Sequence, residues 1–408
     1  MLCVSFDSGN KESFGANAGR LPENSRREQP RHPGEAGRIS GGVEKAAAGQ
    51  GAPDPEVGVS FFPSPMMLPM GNQLGSISVM QTFPWFGTLG AMEEEAARMA
   101  EVKYQEIFAV QNELVFKVKN AWYPLFELEE QIRIQRENLR VLEIDKELAT
   151  FKFQHGQAPM VDAIRADIMI DEVKTEIILL EQKRKPLELA FNRLLDRHDT
   201  LSVQIAGSLP EPVSGALLLR DSLLADNPSL AVFDKQIQAA AAEEKAAGFM
   251  RKPMIGVGIQ YMPLVKRGSS DLHLEPNTGE DMWMPMVTVS IPIWRKKYDA
   301  AVEERRLMQL MYADMKKDMQ NELAAMYEMT WYELESMALM YELLDRQMQK
   351  TQQAIDLLMA AYGNAGQDFE EILRLQQDLF RYRMEKVSAQ TAYQLALVKL
   401  DFLTGKTN

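Results

Sequence analysis

The sequence predicts a mainly α protein with a small β part, in which two long antiparallel helical hairpins each follow a pair of short strands. Three observations carry this expectation. The chain repeats itself collinearly, short segments alternate apolar and polar residues with a period of two, and two very long helical patterns each run to a glycine.

The repeat sets the organisation. Gln111-Asn112-Glu113-Leu114 recurs as Gln320-Asn321-Glu322-Leu323, and Trp122-Tyr123 recurs as Trp331-Tyr332 at the same offset. Asp162 falls on Glu371 and Leu194 on Leu403 with that offset unchanged, and Pro84 meets Pro292 one position away from it. One match would be chance, but an ordered series is a duplication. The boundaries that follow are a first repeat over 43–198, a linker over 199–224 and a second repeat over 225–408. Residues 1–42 read as a disordered or non-native leader, rich in Gly, Arg, Asn, Ser and Pro and without the charged-then-apolar order of a signal peptide. Cys3, the sole cysteine, follows no apolar segment that would mark it for lipid attachment, and it can build no disulfide framework.

Each repeat begins with strands. In the second, 254–262 places Ile255, Val257, Ile259 and Tyr261 on one face and Gly256, Gly258 and Gln260 on the other. The segment 286–294 continues the pattern, with Val287, Val289, Ile291 and Ile293 opposite Thr288 and Ser290. In the first repeat, 57–62 and 77–85 are the counterparts, the latter aligning Ile77, Val79, Phe83 and Trp85. Strict alternation marks strands with one apolar face, and Gly and Ser opposite that face suit a wet interior.

Helical patterns follow over 88–155 and 296–362, each about 100 Å at 1.5 Å per residue. That is far beyond an ordinary globular helix and points to coiled-coil-like packing. Pro124 predicts a kink in the first. Gly156 ends the first helix and Gly363 or Gly366 the second, since glycine readily takes the left-handed conformation that closes a last turn. Return helices over 160–198 and 367–405 complete antiparallel hairpins, with Pro186 expected to break the first of them near its end. A further helix, 227–250, opens at Asn227-Pro228 with a standard cap. Its remnant in the first repeat is Val43-Glu44-Lys45-Ala46-Ala47-Ala48.

Bulk properties narrow the function. A net charge of -13 argues against nucleic-acid binding, which needs a clustered basic face. Mean hydropathy is -0.26 and no run of 18 apolar residues occurs, so no transmembrane helix is encoded, although transmembrane strands leave a much weaker signal. No nucleophile–base pair, phosphate loop or metal motif points to an enzyme or to a cofactor. His32, His155, His198 and His273 have no ligand spacing. Methionine is abundant, 26 residues including Met66, Met67, Met70, Met282, Met284 and Met286. Thioethers can bind Cu(I), yet spread along helices they read first as flexible packing filler.

Four strands cannot close a barrel, and left open they expose apolar faces and unpaired edges. Assembly into a ring answers both problems, and the duplication suits it. Two chains would supply eight strands and three would supply twelve; the physics does not choose between them.

From about residue 43 to 405 the sequence resembles the TolC-like outer-membrane efflux family. The resemblance rests on Pro53-Asp54-Pro55, Phe83-Pro84-Trp85-Phe86-Gly87, Asn227-Pro228-Ser229-Leu230, the Ala-rich helix before Pro253, Ile291-Pro292-Ile293-Trp294, the two helix-end glycines and Leu403-Thr404-Gly405. It implies a homotrimer whose helical hairpins form an α-barrel across the periplasm and whose strands form a twelve-stranded transmembrane β-barrel in the outer membrane of a Gram-negative bacterium. It also implies outer-membrane lipid, a periplasmic adaptor and an inner-membrane efflux pump as partners. The nearest subgroup is the one that handles cations and heavy metals.

On that resemblance, Gly156 and Gln157, with Gly366 and Gln367, form the tip where the adaptor docks; plain helix capping is the alternative role. Asp162, Asp368, Glu370 and Glu371 would ring the narrow pore end and favour cations, or simply suit the first turn of a helix. The second turn departs from the family pattern, because Glu371 follows Gly366 by five residues and Arg374 stands where a second acid is expected. Trp85 and Trp294 would sit at a membrane boundary or pack where strand meets helix. Two other readings stay open: a periplasmic coiled-coil adaptor or scaffold without a pore, and a soluble metal-binding protein using the methionines.

Overall fold

A computed structural model describes residues 51–68, 71–205, 207–213, 224–266, 279–365 and 369–406. Strands β1 (Glu56–Leu68) and β2 (Gly71–Pro84) precede helices α1 (Thr88–Gln154) and α2 (Met160–Leu194). Helix α3 (Pro228–Phe249) then leads to β3 (Met254–Met262), a two-residue β4 (Leu264–Val265), β5 (Met282–Ser290), α4 (Lys296–Ala365) and α5 (Phe369–Thr404). Strand pair, long helix and return helix thus come in the same order in both halves. The leader and the Val43–Ala48 remnant lie outside the described residues, as do residues 214–223 of the linker.

The strands of both halves join in one antiparallel sheet, ordered β1-β2-β3-β5, with β4 pairing β2. Three strands differ from the sequence expectation, each for a proline-related reason. β1 extends past residue 62 to Leu68 even though Pro63 and Pro65 can donate no ladder bond. Its register slips between Phe61 and Met66, so the residues between them face only Leu74, and this irregularity absorbs both prolines. β2 lengthens with it to start at Gly71. β5 lies over 282–290 rather than 286–294. Pro285 is accommodated because β5 pairs only with β3 and so is an edge of this sheet. The strand stops at Ser290 because its partner β3 begins at Met254, just after Pro253, and Pro292 follows. Ile291 to Trp294 therefore form the connection into α4.

The helices run further than the prolines suggested. α1 passes through Pro124 over 67 residues, and α2 passes through Pro186 to Leu194. A proline removes a single intrahelical bond, and these helices have many turns on either side to sustain them. α2 ends at Leu194 rather than 198, closed by a left-handed Asp196 (φ 52) and an Arg197 N–H bond to the Asn192 carbonyl of 2.9 Å. The same device closes α5 at Gly405 (φ 69), where Lys406 N–H reaches the Asp401 carbonyl at 3.0 Å. Asn227 caps α3 as expected: its Oδ1 accepts from Ser229 N–H at 2.8 Å. Its Nδ2 donates to the Leu403 carbonyl at 2.9 Å, so the start of α3 and the end of α5 are fastened to each other.

The chain divides into two compact units, each drawing on both repeats. One holds Phe108–Leu230 and Met319–Asn408; the other holds the strands, within His32–Ile107 and Ala231–Asp318. Both principal buried clusters lie in the first unit. One gathers Leu323, Tyr327, Leu334 and Ala338 of α4 with Tyr393, Ala396, Leu400 and Leu403 of α5. The other joins all four long helices near the hairpin turns: Leu142 and Ala149 of α1, Ala163, Ala166 and Ile170 of α2, Tyr362 of α4, and Phe369 and Ile372 of α5.

Candidate functional site

The first hairpin turn is built from backbone geometry. Gly156 has φ 71, its N–H bonds the Phe153 carbonyl at 2.9 Å, and Gln157 N–H bonds the Lys152 carbonyl at 2.8 Å. This is the paired closure of a Schellman motif, which requires the left-handed residue that glycine supplies most readily. A Cβ at Gly156 would meet no atom within 4 Å, so the demand is on φ and not on space. Gly156 and Gln157 are both exposed. Pro159 then opens α2 in an extended conformation without a side-chain cap.

Beside this turn the two hairpins are tied to each other. Lys152 of α1 donates to the Tyr362 carbonyl of α4, and its Nζ sits 3.6 Å from the centre of the Tyr362 ring. That ring stacks on Phe369 of α5 with centroids 5.3 Å apart. Arg165 of α2 reaches Glu370 of α5 at 2.7 Å and approaches Asp162 at 4.0 Å. Asp162 is only 6% exposed, whereas Glu370 and Glu371 are open to solvent. Glu371 lies 3.7 Å from Arg374, an exposed pair one turn apart. Three turns deeper, Asp145 is buried with its Oδ2 unpartnered, as is the Oε1 of Gln376. Burial holds the Asp145 carboxyl above the usual carboxylate range, against a hydrogen bond from Gln376 that favours its charge. Burial also raises the Tyr362 phenol, followed by the charges of Asp162 and Asp145.

The sheet has two unlike faces. Its register aligns Val59, Ile77, Tyr261 and Trp283 across four strands, and Val57, Val79 and Ile259 in the next row of that face. This face is uncovered: Val59 is 73% exposed, Val57 66% and Val287 72%. The opposite face carries Gly58, Ser76, Gln260 and Thr288, with Ser60 and Ser76 hydroxyls 2.8 Å apart and Gln260 Nε2 donating to Ser76 at 2.7 Å. An exposed apolar band on an antiparallel sheet, backed by a polar one, is the patterning of a strand between lipid and water. Aromatic residues stand at both ends of the band. Trp85, 37% exposed, and Trp294, 80% exposed, lie just past the strands on the helix side, while Tyr261 and Trp283 pack 4.7 Å apart at the far end.

No protein-family model matches the sequence, and no curated protein does. Solved structures do. CusC, studied for the changes accompanying folding and transmembrane channel formation, superposes with a TM-score of 0.74 at 16% identity, covering 91% of this chain and 87% of its own. The outer membrane protein VceC of Vibrio cholerae gives 0.71 at 13% identity over 94% of each chain. The MtrE outer membrane channel of Neisseria gonorrhoeae, in its open state, gives 0.69 at 16% identity over 91% of this chain and 84% of its own. This is the fold of the TolC-like outer-membrane channels.

On the TolC-like fold of this chain, the residues singled out from the sequence separate into groups. Gly156, Gln157, Asp162, Glu370 and Glu371 share the hairpin end, with Asp162 turned into the packed side; Gly366, Gln367 and Asp368 lie outside the described residues. Trp85 and Trp294 share the helix-side border of the sheet. The inter-hairpin ties through Lys152, Arg165 and Tyr362 went unread in the sequence, as did the buried Asp145. Helical spacing places Arg165 one turn from Asp162, but nothing in one sequence pairs it with Glu370. Tyr261 and Trp283 were legible as strand residues; their pairing needed the register. Among the described residues no group of His, Cys, Asp and Glu could hold a metal ion.

Proposed function

We propose that this chain is one subunit of a trimeric duct in the outer membrane, a passive conduit that exports small molecules or metal cations across the periplasm and that membrane. The observation that carries the reading is the sheet with its four long strands, apolar and exposed on one face, polar on the other, and open at both edges. Three such sheets would supply twelve strands, enough to close around an open lumen. Lipid would cover the apolar face, and the girdle aromatics would mark its borders. A periplasmic adaptor would dock on the exposed backbone at Gly156 and Gln157, together with the second turn at Gly366 and Gln367. An inner-membrane pump would supply the energy, so the duct needs no cofactor. Asp162, Asp368, Glu370 and Glu371 would bias the narrow end toward cations, with Asp162 acting through Arg165.

Two measurements test this reading on the full chain. Mass in detergent should correspond to three chains of 46.2 kDa, and insertion into planar bilayers should give stepwise ion conductance. A chain that stays monomeric and soluble without detergent, and conducts nothing, would favour the adaptor or scaffold reading instead.

A further inference from the structure

Alternate strand residues face opposite ways, and the register assigns six methionines to a single face of the sheet. Met80 of β2 lies opposite Gly258 of β3, which in turn lies opposite Met286 of β5. Along the same strands Met254 pairs with Ser290, Gln260 with Met284, and Met262 with Met282. All six therefore share the face of Ser76, Gln260 and Thr288, the reverse of the apolar band. From Met254 to Met262 the ladder runs the whole of β3, about 27 Å at 3.4 Å per residue.

Packing filler does not account for them. None belongs to a buried apolar cluster, and Met254 and Met284 are each 41% exposed. The glycines opposite are part of the arrangement. A Cβ at Gly258 would lie 3.0 Å from the Met80 sulfur and one at Gly256 3.2 Å from it, so the thioether occupies the space that two missing side chains leave. Thr288 Oγ1 stands 3.9 Å from the same sulfur. Met80 is thereby held over the middle strand, with Thr288 of the next strand beside its sulfur. The face carries no histidine or cysteine in its register, and its only acid is Glu56 at the end of β1, opposite Met80.

We infer that these thioethers form a ladder of weak sites for a soft monovalent cation, Cu(I) or Ag(I), along the inner wall of the channel. Neutral sulfur donors select such ions over Mg(II), Ca(II) or Zn(II). Several weak sites in series also suit passage, because an ion must bind well enough to enter and loosely enough to leave. The inference rests on the reading of this face as the channel lining.

Ag(I) is the probe, since it needs no reductant. With the wild-type trimer in chloride-free detergent, methionine oxidation by peroxide is followed residue by residue by mass spectrometry, with and without silver nitrate. Ag(I) should slow sulfoxide formation at Met80, Met284 and Met286 at least five-fold while leaving the exposed helical Met329 unchanged. A triple variant, Met80→Leu, Met284→Leu and Met286→Leu, verified as a trimer by mass, should bind Ag(I) at least ten-fold more weakly by calorimetry. Equal oxidation rates with and without Ag(I), or equal affinity of variant and wild type, would overturn the proposal. Wild-type conductance separates the two failures. Conductance without Ag(I) protection removes the soft-cation ladder alone, whereas absent conductance removes the channel reading and the ladder with it.

Discussion

Single positions show where backbone and charge are under strain. Asp196 and Gly405 close α2 and α5 in equivalent left-handed conformations, at φ 52 and 69. Glycine takes that conformation freely, and a residue with a Cβ pays about 1 kcal/mol to hold it. Asp196→Gly should therefore stabilise the end of α2 by about 0.5–1 kcal/mol, seen as slower amide exchange over the last turn; faster exchange would mean that the Asp196 side chain contributes more than its backbone strain costs. Asp145 carries a different strain. Its raised pKa means that folding favours the protonated carboxyl. Between the ordinary value of 3.8 and the raised one, the folded chain then binds more protons than the unfolded chain. Stability thus falls as pH rises through that window, and is lowest above it. A protonated Asp145 also gains a donor, where Asp145 and Gln376 now leave an acceptor each unpartnered. Asp145→Asn should raise the thermal midpoint at neutral pH, by the equivalent of about 1–3 kcal/mol, and change it little below pH 3.8. A destabilised variant at neutral pH would show that the ionised carboxylate has an unseen favourable partner. Neither position was legible beforehand, since φ and depth follow from the tertiary neighbours. Gly156 was, because glycine after a long helical period has few other uses.

At the scale of elements, helices and strands were read with unequal success, and the difference is physical. A helix of about 70 residues repeats its signal through many turns, so α1 and α4 came within a few residues of their ends. Strand limits depend on partners. β3 was read correctly over Met254–Met262, yet β5 was misplaced by four residues because its ends are set by β3 and its edge position excuses Pro285. The joining of hairpins is likewise a pairing, and Tyr362 is its centre. The ring is 4% exposed, touched by Lys152 on one side and Phe369 on the other, yet its hydroxyl has no hydrogen-bond partner. Its worth lies in the ring. Tyr362→Phe should leave the tip as stable as before or more so, because a buried unpaired hydroxyl is removed. Tyr362→Ala should loosen it by about 3 kcal/mol and raise single-channel conductance as the hairpins part. Arg165→Ala should do far less, because Arg165 and Glu370 are 40% and 60% exposed and such pairs contribute below about 1 kcal/mol. Equal effects of Tyr362→Phe and Tyr362→Ala would assign the tie to the hydroxyl and refute this account.

For the whole molecule, the duplication said that the chain is built to be assembled, but not with how many copies, since eight strands and twelve both close. The sheet sharpens that question. β1 pairs only with β2 and β5 only with β3, so each chain offers two free edges on the described residues. Those edges are unlike, and in a ring the β1 of one copy must meet the β5 of the next, a heterologous contact that closes only at a fixed number of copies. Cysteine chemistry can read that number, because the sequence has a single cysteine, Cys3. In a Cys3→Ser background, Val57→Cys on β1 would be combined in turn with Pro285→Cys, Val287→Cys or Val289→Cys on β5, all on the outward face. Backbones in paired strands lie about 4.8 Å apart, within reach of a disulfide for the pair that is in register. Oxidation of that pair should give a closed covalent trimer on a denaturing gel, with dimer as an intermediate, and each single variant should give none. A ladder ending at dimer would make the barrel eight-stranded, and no link at any of the three positions would mean that β1 and β5 do not meet at all.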